Sequence, residues 1–77
     1  MNVEGYGQIP FEIGDIIREK EDGTTACITY ANYAYVYFKI LTAGWNTYPE
    51  HVGTELCTRI ERLEEEWEKV DQQGKQP

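Results

Sequence analysis

The chain is 77 residues long, 9.0 kDa, and carries 14 Asp and Glu against 7 Lys and Arg, a formal charge of -7 at pH 7 with an isoelectric point near 4.5. One small domain fits this length and two do not. The charge argues against direct nucleic-acid binding and against an anionic membrane surface, both of which favour a basic face; no apolar run approaches the roughly 18–20 residues of a membrane span, and residues 1–7 lack the basic and apolar regions of a signal peptide.

Hydrophobic residues make up 40% and aromatics 13% of the chain, enough for a packed core despite the charge. A domain of this size buries only about 60–65% of its unfolded surface, so a disulfide, a metal or self-association is a natural support. The inventory for the first two is thin. Cys27, Cys57 and His51 are the only thiols and imidazole. They form no CxxC pair and cannot complete a four-ligand zinc site without carboxylates. Two free thiols in a reducing cytoplasm are expected, with no cofactor and no metal.

Residues 1–8 are short and polar, carry Gly5 and Gly7, and read as a loose arm. From Ile9 the pattern alternates: Ile9, Phe11 and Ile13 are apolar, and Pro10 marks an edge strand. Gly14 suggests a bend, after which residues 15–20 resume a strand. Asp22-Gly23 predicts a two-residue type I′ hairpin loop, pairing Ile17 with Ile28 and Arg18 with Cys27.

Residues 24–41 are rich in β-branched and aromatic side chains. They are too long for one ordinary strand, and Asn32 tolerates the left-handed geometry of a break. A three-residue loop at 31–33 pairs Ile28 with Val36 and Ala26 with Phe38, which gathers one apolar face. Thr29, Tyr35, Cys27, Tyr37, Thr25 and Lys39 fall on the other.

Residues 42–49 read as a connection, with Trp45 and Tyr48 inside it. Thr47-Tyr48-Pro49-Glu50 matches a capping box, although Gly53 is unfavourable so early in a helix. From there Val52, Leu56, Ile60, Leu63, Trp67 and Val70 recur at helical spacing. The spacing predicts an amphipathic helix over 50–71 and a frayed tail over 72–77. Residues 1–77 then form a single α+β domain: a small antiparallel β-meander of three to four strands over 9–41, strongly curved, packed by one long C-terminal helix. The expected core is Ile13, Ile17, Ile28, Val36, Phe38, Ile40, Leu56, Ile60 and Leu63. The Gly14-Asp15-Ile16-Ile17-Arg18 strand, the tight turn and the curved meander resemble a small SH3-like barrel with a helical extension. That likeness covers about half the chain and carries no functional residues with it.

Catalytic chemistry finds little footing. His51 and Cys57, six residues apart, would point about 240° apart around a helix. Nucleophile elbow, zinc-protease, phosphate-loop and dinucleotide motifs are all missing. The expectation is a non-enzyme.

Two surfaces stand out instead. Tyr33, Tyr35 and Tyr37 form a row on the sheet face away from the helix, and tyrosine is favoured in recognition surfaces. Glu61, Glu64, Glu65, Glu68 and Asp71 form an acidic ridge along the helix, and such rows can occupy the groove in which a partner binds DNA or RNA. A helix of about 33 Å would span the whole body and leave Trp67 overhanging as an anchor. These features point to a protein-binding module docking on a basic partner, a nuclease or other nucleic-acid-binding protein. Its class would be that of bacteriophage or mobile-element inhibitors such as anti-CRISPR and anti-restriction proteins, acting in the host cytoplasm. The second reading is a small homodimeric assembly protein joined through the helix seam and Trp67.

Overall fold

The computed structural model describes residues 1–70. Its order is a small hairpin of β1 (Asn2–Val3) and β2 (Gly7–Gln8), then β3 (Ile16–Glu19), β4 (Thr25–Asn32) and β5 (Tyr35–Thr42). A 3-10 turn (Pro49–His51), β6 (Glu55–Arg59), one short helix α1 (Ile60–Glu66) and β7 (Trp67–Lys69) complete it. One antiparallel sheet holds five strands in the order β6-β5-β4-β3-β7.

The expected α+β domain, a meander of three to four strands packed by a long C-terminal helix, is therefore corrected to a mostly β fold, 46% strand and 14% helical, in which that helix is cut to seven residues flanked by two strands. The helical stripe is real in the sequence but is used by three kinds of structure. Val52 lies in a turn, Leu56 on β6, Ile60 and Leu63 on α1, and Trp67 on β7. A continuous helix would leave the hydrogen-bonding edge of β3 open. In the fold β7 takes that edge, pairing Glu19 with Trp67, Arg18 with Glu68 and Ile17 with Lys69. Long-range ladder bonds and burial outweigh the modest intrinsic preference of residues 50–59 for helix, which contain Gly53, Thr54, Cys57 and Thr58. The capping box fails for a related reason. The Thr47 hydroxyl donates to Asp22 at 2.8 Å instead of capping a helix.

The β3–β4 and β4–β5 hairpins form where expected, but each register differs by two residues. Ile17 faces Ala26 rather than Ile28, because the loop takes four residues and the Asp22 carboxylate turns inward to accept the Thr24 amide at 2.8 Å. Ile28 faces Phe38 and Ala26 faces Ile40. The turn falls at Tyr33–Ala34, with Tyr33 rather than Asn32 at positive φ (53°). Tyr33 is held there because its amide donates to the Glu4 carbonyl at 2.8 Å and its ring lies on Gly5, where a Cβ would collide with it. A shift of two preserves parity, so Ala26, Ile28, Val36, Phe38 and Ile40 still share the buried face. A bulge at Thr29 turns Tyr30 out to solvent.

The sheet is strongly curled. Phe38 on β5 and Trp67 on β7 are separated by three strand spacings, about 14 Å in a flat sheet. Their rings meet at 4.9 Å. Ile60 and Leu63 of α1, both fully buried, fill the interior. The first residues are not a loose arm: Val3, Ile9 and Phe11 are buried in the same core, and β1 pairs with β2. Two expected core residues lie outside it, Ile13 at 53% exposure and Leu56 at 43%. Trp67 is only 8% exposed and packs inside. The overhanging anchor and the helix-seam dimer built on it are corrected accordingly. The frayed tail over 72–77 lies outside the described residues.

Candidate functional site

The site is assembled by the turn between β3 and β4. Asp22 is buried there and binds the connection that follows β5. Its carboxylate accepts from the Thr24 amide and hydroxyl, at 2.8 and 3.0 Å, and from the Thr47 hydroxyl at 2.8 Å. The Gly44 amide donates to the Thr24 hydroxyl at 2.9 Å, and the Trp45 amide to the Asp22 carbonyl at 3.2 Å. Gly44 is required: any Cβ would meet the Asp22 carbonyl. The Trp45 indole nitrogen donates to the Glu21 carbonyl at 3.1 Å. This network holds the Trp45 ring in water at 78% exposure, and Tyr48, three residues on, is 69% exposed.

Beside them runs a groove of about 400 Å³. Phe38, Ile40 and Trp67 form its floor, while Tyr48, His51 and Leu56 form its walls. One end is closed by Glu19 and Glu66. A further hollow lies beside Trp45 and Tyr48, and another beside Glu19, Lys20, Glu21, Glu65 and Glu66. The arrangement is an apolar trough with Tyr48 and His51 on its walls and a carboxyl-lined end.

Electrostatics at that end are unusual. Hydrogen bonding to the Asp22 side chain, followed by burial and the charges of Asp22, Glu66 and Glu21, raises the Glu19 carboxyl from 4.5 to about 7. Burial of Asp22 works against its ionisation. The Thr24 amide and the Glu19, Thr47 and Thr24 side chains outweigh it and hold Asp22 well below the ordinary carboxylate range. The two carboxyls thus behave as a pair, with the proton on Glu19 and the charge on Asp22.

The structure redistributes the acidic ridge. Glu61, Glu64 and Glu65 are exposed on α1. Glu68 sits on β7, where Arg18 binds it at 2.6 Å, and Asp71 lies outside the described residues. Glu66 binds Arg62 at 2.8 Å and Glu61 lies 3.5 Å from Arg59. Carboxylates free of ion pairs among the described residues include Glu21, Glu64 and Glu65, and Glu21 and Glu65 share a hollow with Glu19 and Glu66 of the groove's closed end.

The tyrosines divide similarly. Tyr35 and Tyr37 share the outer face of β5, with the Arg59 guanidinium 5.8 Å from the Tyr35 ring. Tyr33 caps the hairpin tip above Gly5. Tyr48 of the groove and the neighbouring Trp45 were visible in the sequence only as two aromatics in a connection rich in turn-forming residues, and large rings in such a segment were the available signal.

Cys27 and Cys57 are free thiols on β4 and β6, which β5 separates. Two strand spacings, about 10 Å, exceed disulfide reach. His51 is exposed and its ring neighbour is Tyr48 at 6.0 Å. Among the described residues no group of three His, Cys, Asp or Glu side chains converges to hold a metal. No helix of the described residues is long and apolar enough to cross a membrane. The chain matches no family model, no curated protein and no solved structure.

Proposed function

We propose that the chain is a non-enzymatic protein-binding module whose aromatic groove takes a cationic, partly apolar segment of a partner protein. The observation that carries this reading is an apolar floor flanked by the exposed ring of Tyr48, with the exposed Trp45 beside it and carboxyl groups at one end. The Trp45 ring, already held by its bond to the Glu21 carbonyl, loses little entropy on binding, which suits it as an anchor. The nearby carboxylates of Glu21, Glu64 and Glu65 would draw a basic surface and speed its approach. The outer tyrosines, Tyr35 and Tyr37, extend the surface without being its centre.

Proteins that bind nucleic acids carry such cationic surfaces, and nucleases among them are the partner class to test first. A cytoplasmic setting goes with this reading and is supported by the two free thiols. The mobile-element inhibitor class rests on size and charge alone.

Affinity capture from a bacterial lysate tests the proposal. The expected result is a set of basic proteins retained by the native chain, released as salt rises, and lost when Trp45→Ala and Tyr48→Ala are combined. Both residues are exposed, so the double variant should melt within a few degrees of the native protein. Retention that is indifferent to the double substitution, or to salt, would refute the groove as the charge-assisted binding surface.

A further inference from the structure

The five-stranded sheet ends at β6, and among the described residues nothing pairs with that edge. The outer edge at the other end belongs to β7, which is only three residues long and carries Glu68 and Lys69. Short, charged edges of that kind resist further pairing. The β6 edge is built differently. It is five residues long, Glu55-Leu56-Cys57-Thr58-Arg59, and all but Thr58 are exposed. It contains no proline, glycine or lysine, and Leu56 and Cys57 at its middle are uncharged.

The hydrogen-bond phase of β6 can be read from its flanks. The Ile40 amide donates to the Thr54 carbonyl and the Ile60 amide to the Ala34 carbonyl. In an antiparallel ladder the bonded residues alternate. Leu56 and Thr58 therefore direct their peptide groups to β5. Glu55 and Cys57 direct theirs to the open edge, as does the Arg59 amide, while the Arg59 carbonyl, at the N-cap of α1, is taken by the first bond of the helix.

We infer that β6 pairs antiparallel with β6 of a second copy of this chain, about a twofold axis through Cys57. In that register Cys57 faces Cys57, and Glu55 of each copy faces Arg59 of the other. About four backbone hydrogen bonds form, and two Glu–Arg pairs form on the outer face. Sliding the strands by two residues in either direction gains no bond, loses both Glu–Arg pairs and opposes a charged residue with Cys57. Sliding by one is excluded, because donors and acceptors fall out of phase. The segment is thus self-complementary in one register. Any antiparallel pairing of this strand with its own copy is twofold, and charge complementarity selects this register among them. Glu55 now accepts the Thr29 hydroxyl at 2.6 Å and Arg59 lies over Tyr35, so both side chains are already held on the face where the pairs would form. The interface is small, and dissociation in the range of about 10–100 µM is expected.

The β6 edge borders the groove, which Leu56, Cys57 and Thr58 also line, but the pairing needs no partner protein, and its test uses the purified chain alone. Sedimentation velocity from about 5 to 500 µM should show mass rising toward twice that of the 9.0 kDa chain. Glu55→Arg should oppose Arg to Arg, and Arg59→Glu should oppose Glu to Glu. Each variant alone should weaken self-association tenfold or more. Mixing the two should restore a heterodimer, since every facing pair then becomes complementary. A bis-maleimide should link the native chains through Cys57, in a Cys27→Ala background, and fail with Cys57→Ser. Melting curves check that each variant is folded. A monomer at all these concentrations overturns the inference, as does a mixture no more associated than its components; a monomer would assign the edge to a strand from a different protein.

Discussion

At the scale of single residues the pair Glu19 and Asp22 is the most informative, because two carboxyls share one turn with opposite tendencies. Glu19 titrates near 7 rather than at 4.5. A carboxyl raised in the folded state contributes stability that is complete below its ordinary value and disappears as pH rises through about 7. Asp22 has the opposite sign, contributing above its ordinary 3.8 and losing that contribution only in acid. Between roughly pH 4.5 and 7 the Asp22 contribution is therefore intact while that of Glu19 declines. Glu19→Gln keeps a hydrogen-bond donor toward Asp22 at every pH. The variant should melt with the native protein at pH 5 and about 3–5 °C above it at pH 8, followed by circular dichroism. Parallel melting curves across that range would mean that the two carboxyls do not share a proton. The sequence showed an Asp-Gly turn here, but not its chemistry. Thr47 comes from 25 residues further on, and no local pattern reports its arrival.

At the scale of elements the segment from residue 52 to 70 is the instructive one. Its apolar spacing satisfies a helix, yet the chain spends it on strand, helix and strand in turn. The two leucines within it separate these alternatives. Leu63 is fully buried, and Leu63→Ala should cost about 3–5 kcal/mol in urea unfolding. Leu56 is 43% exposed on an edge strand, and Leu56→Ala should cost less than about 1 kcal/mol. Equal costs would return both residues to a single helical stripe. The strands were more legible. Alternation over residues 25–42 identified the buried set Ala26, Ile28, Val36, Phe38 and Ile40, because period two survives a register shift of two. The shifts themselves were not legible, since they depend on Asp22 turning inward and on Tyr33 lying against Gly5.

At the scale of the molecule the open question is how so short a chain closes a core around a curled sheet. Both ends of the chain contribute. Val3, Ile9 and Phe11 come from the first eleven residues, and Trp67 from the return strand. The N-terminal segment should therefore unfold with the sheet. Phe11→Ala should cost about 3–5 kcal/mol and leave a single transition, with tryptophan fluorescence and far-ultraviolet circular dichroism coinciding. A loss below about 1 kcal/mol would show that the segment is an accessory. The candidate site belongs to the same scale. Its floor, walls and anionic end come from β3, β5, β6, α1, β7 and the connection after β5. No stretch of sequence holds more than a part of it.

The sequence by itself determined the charge, the single-domain size, the positions of both hairpins and which face of the central strands is apolar. These are properties of composition and of period two, and both are local. Tertiary structure decided the fate of the C-terminal third, the burial of Trp67 and the meeting of Trp45 and Tyr48 with the groove. A seven-residue helix and a returning strand prevail there because the open edge of β3 and the interior of the curled sheet offer hydrogen bonds and burial that an isolated helix cannot supply. That gain exists only once strands far apart in the chain have come together.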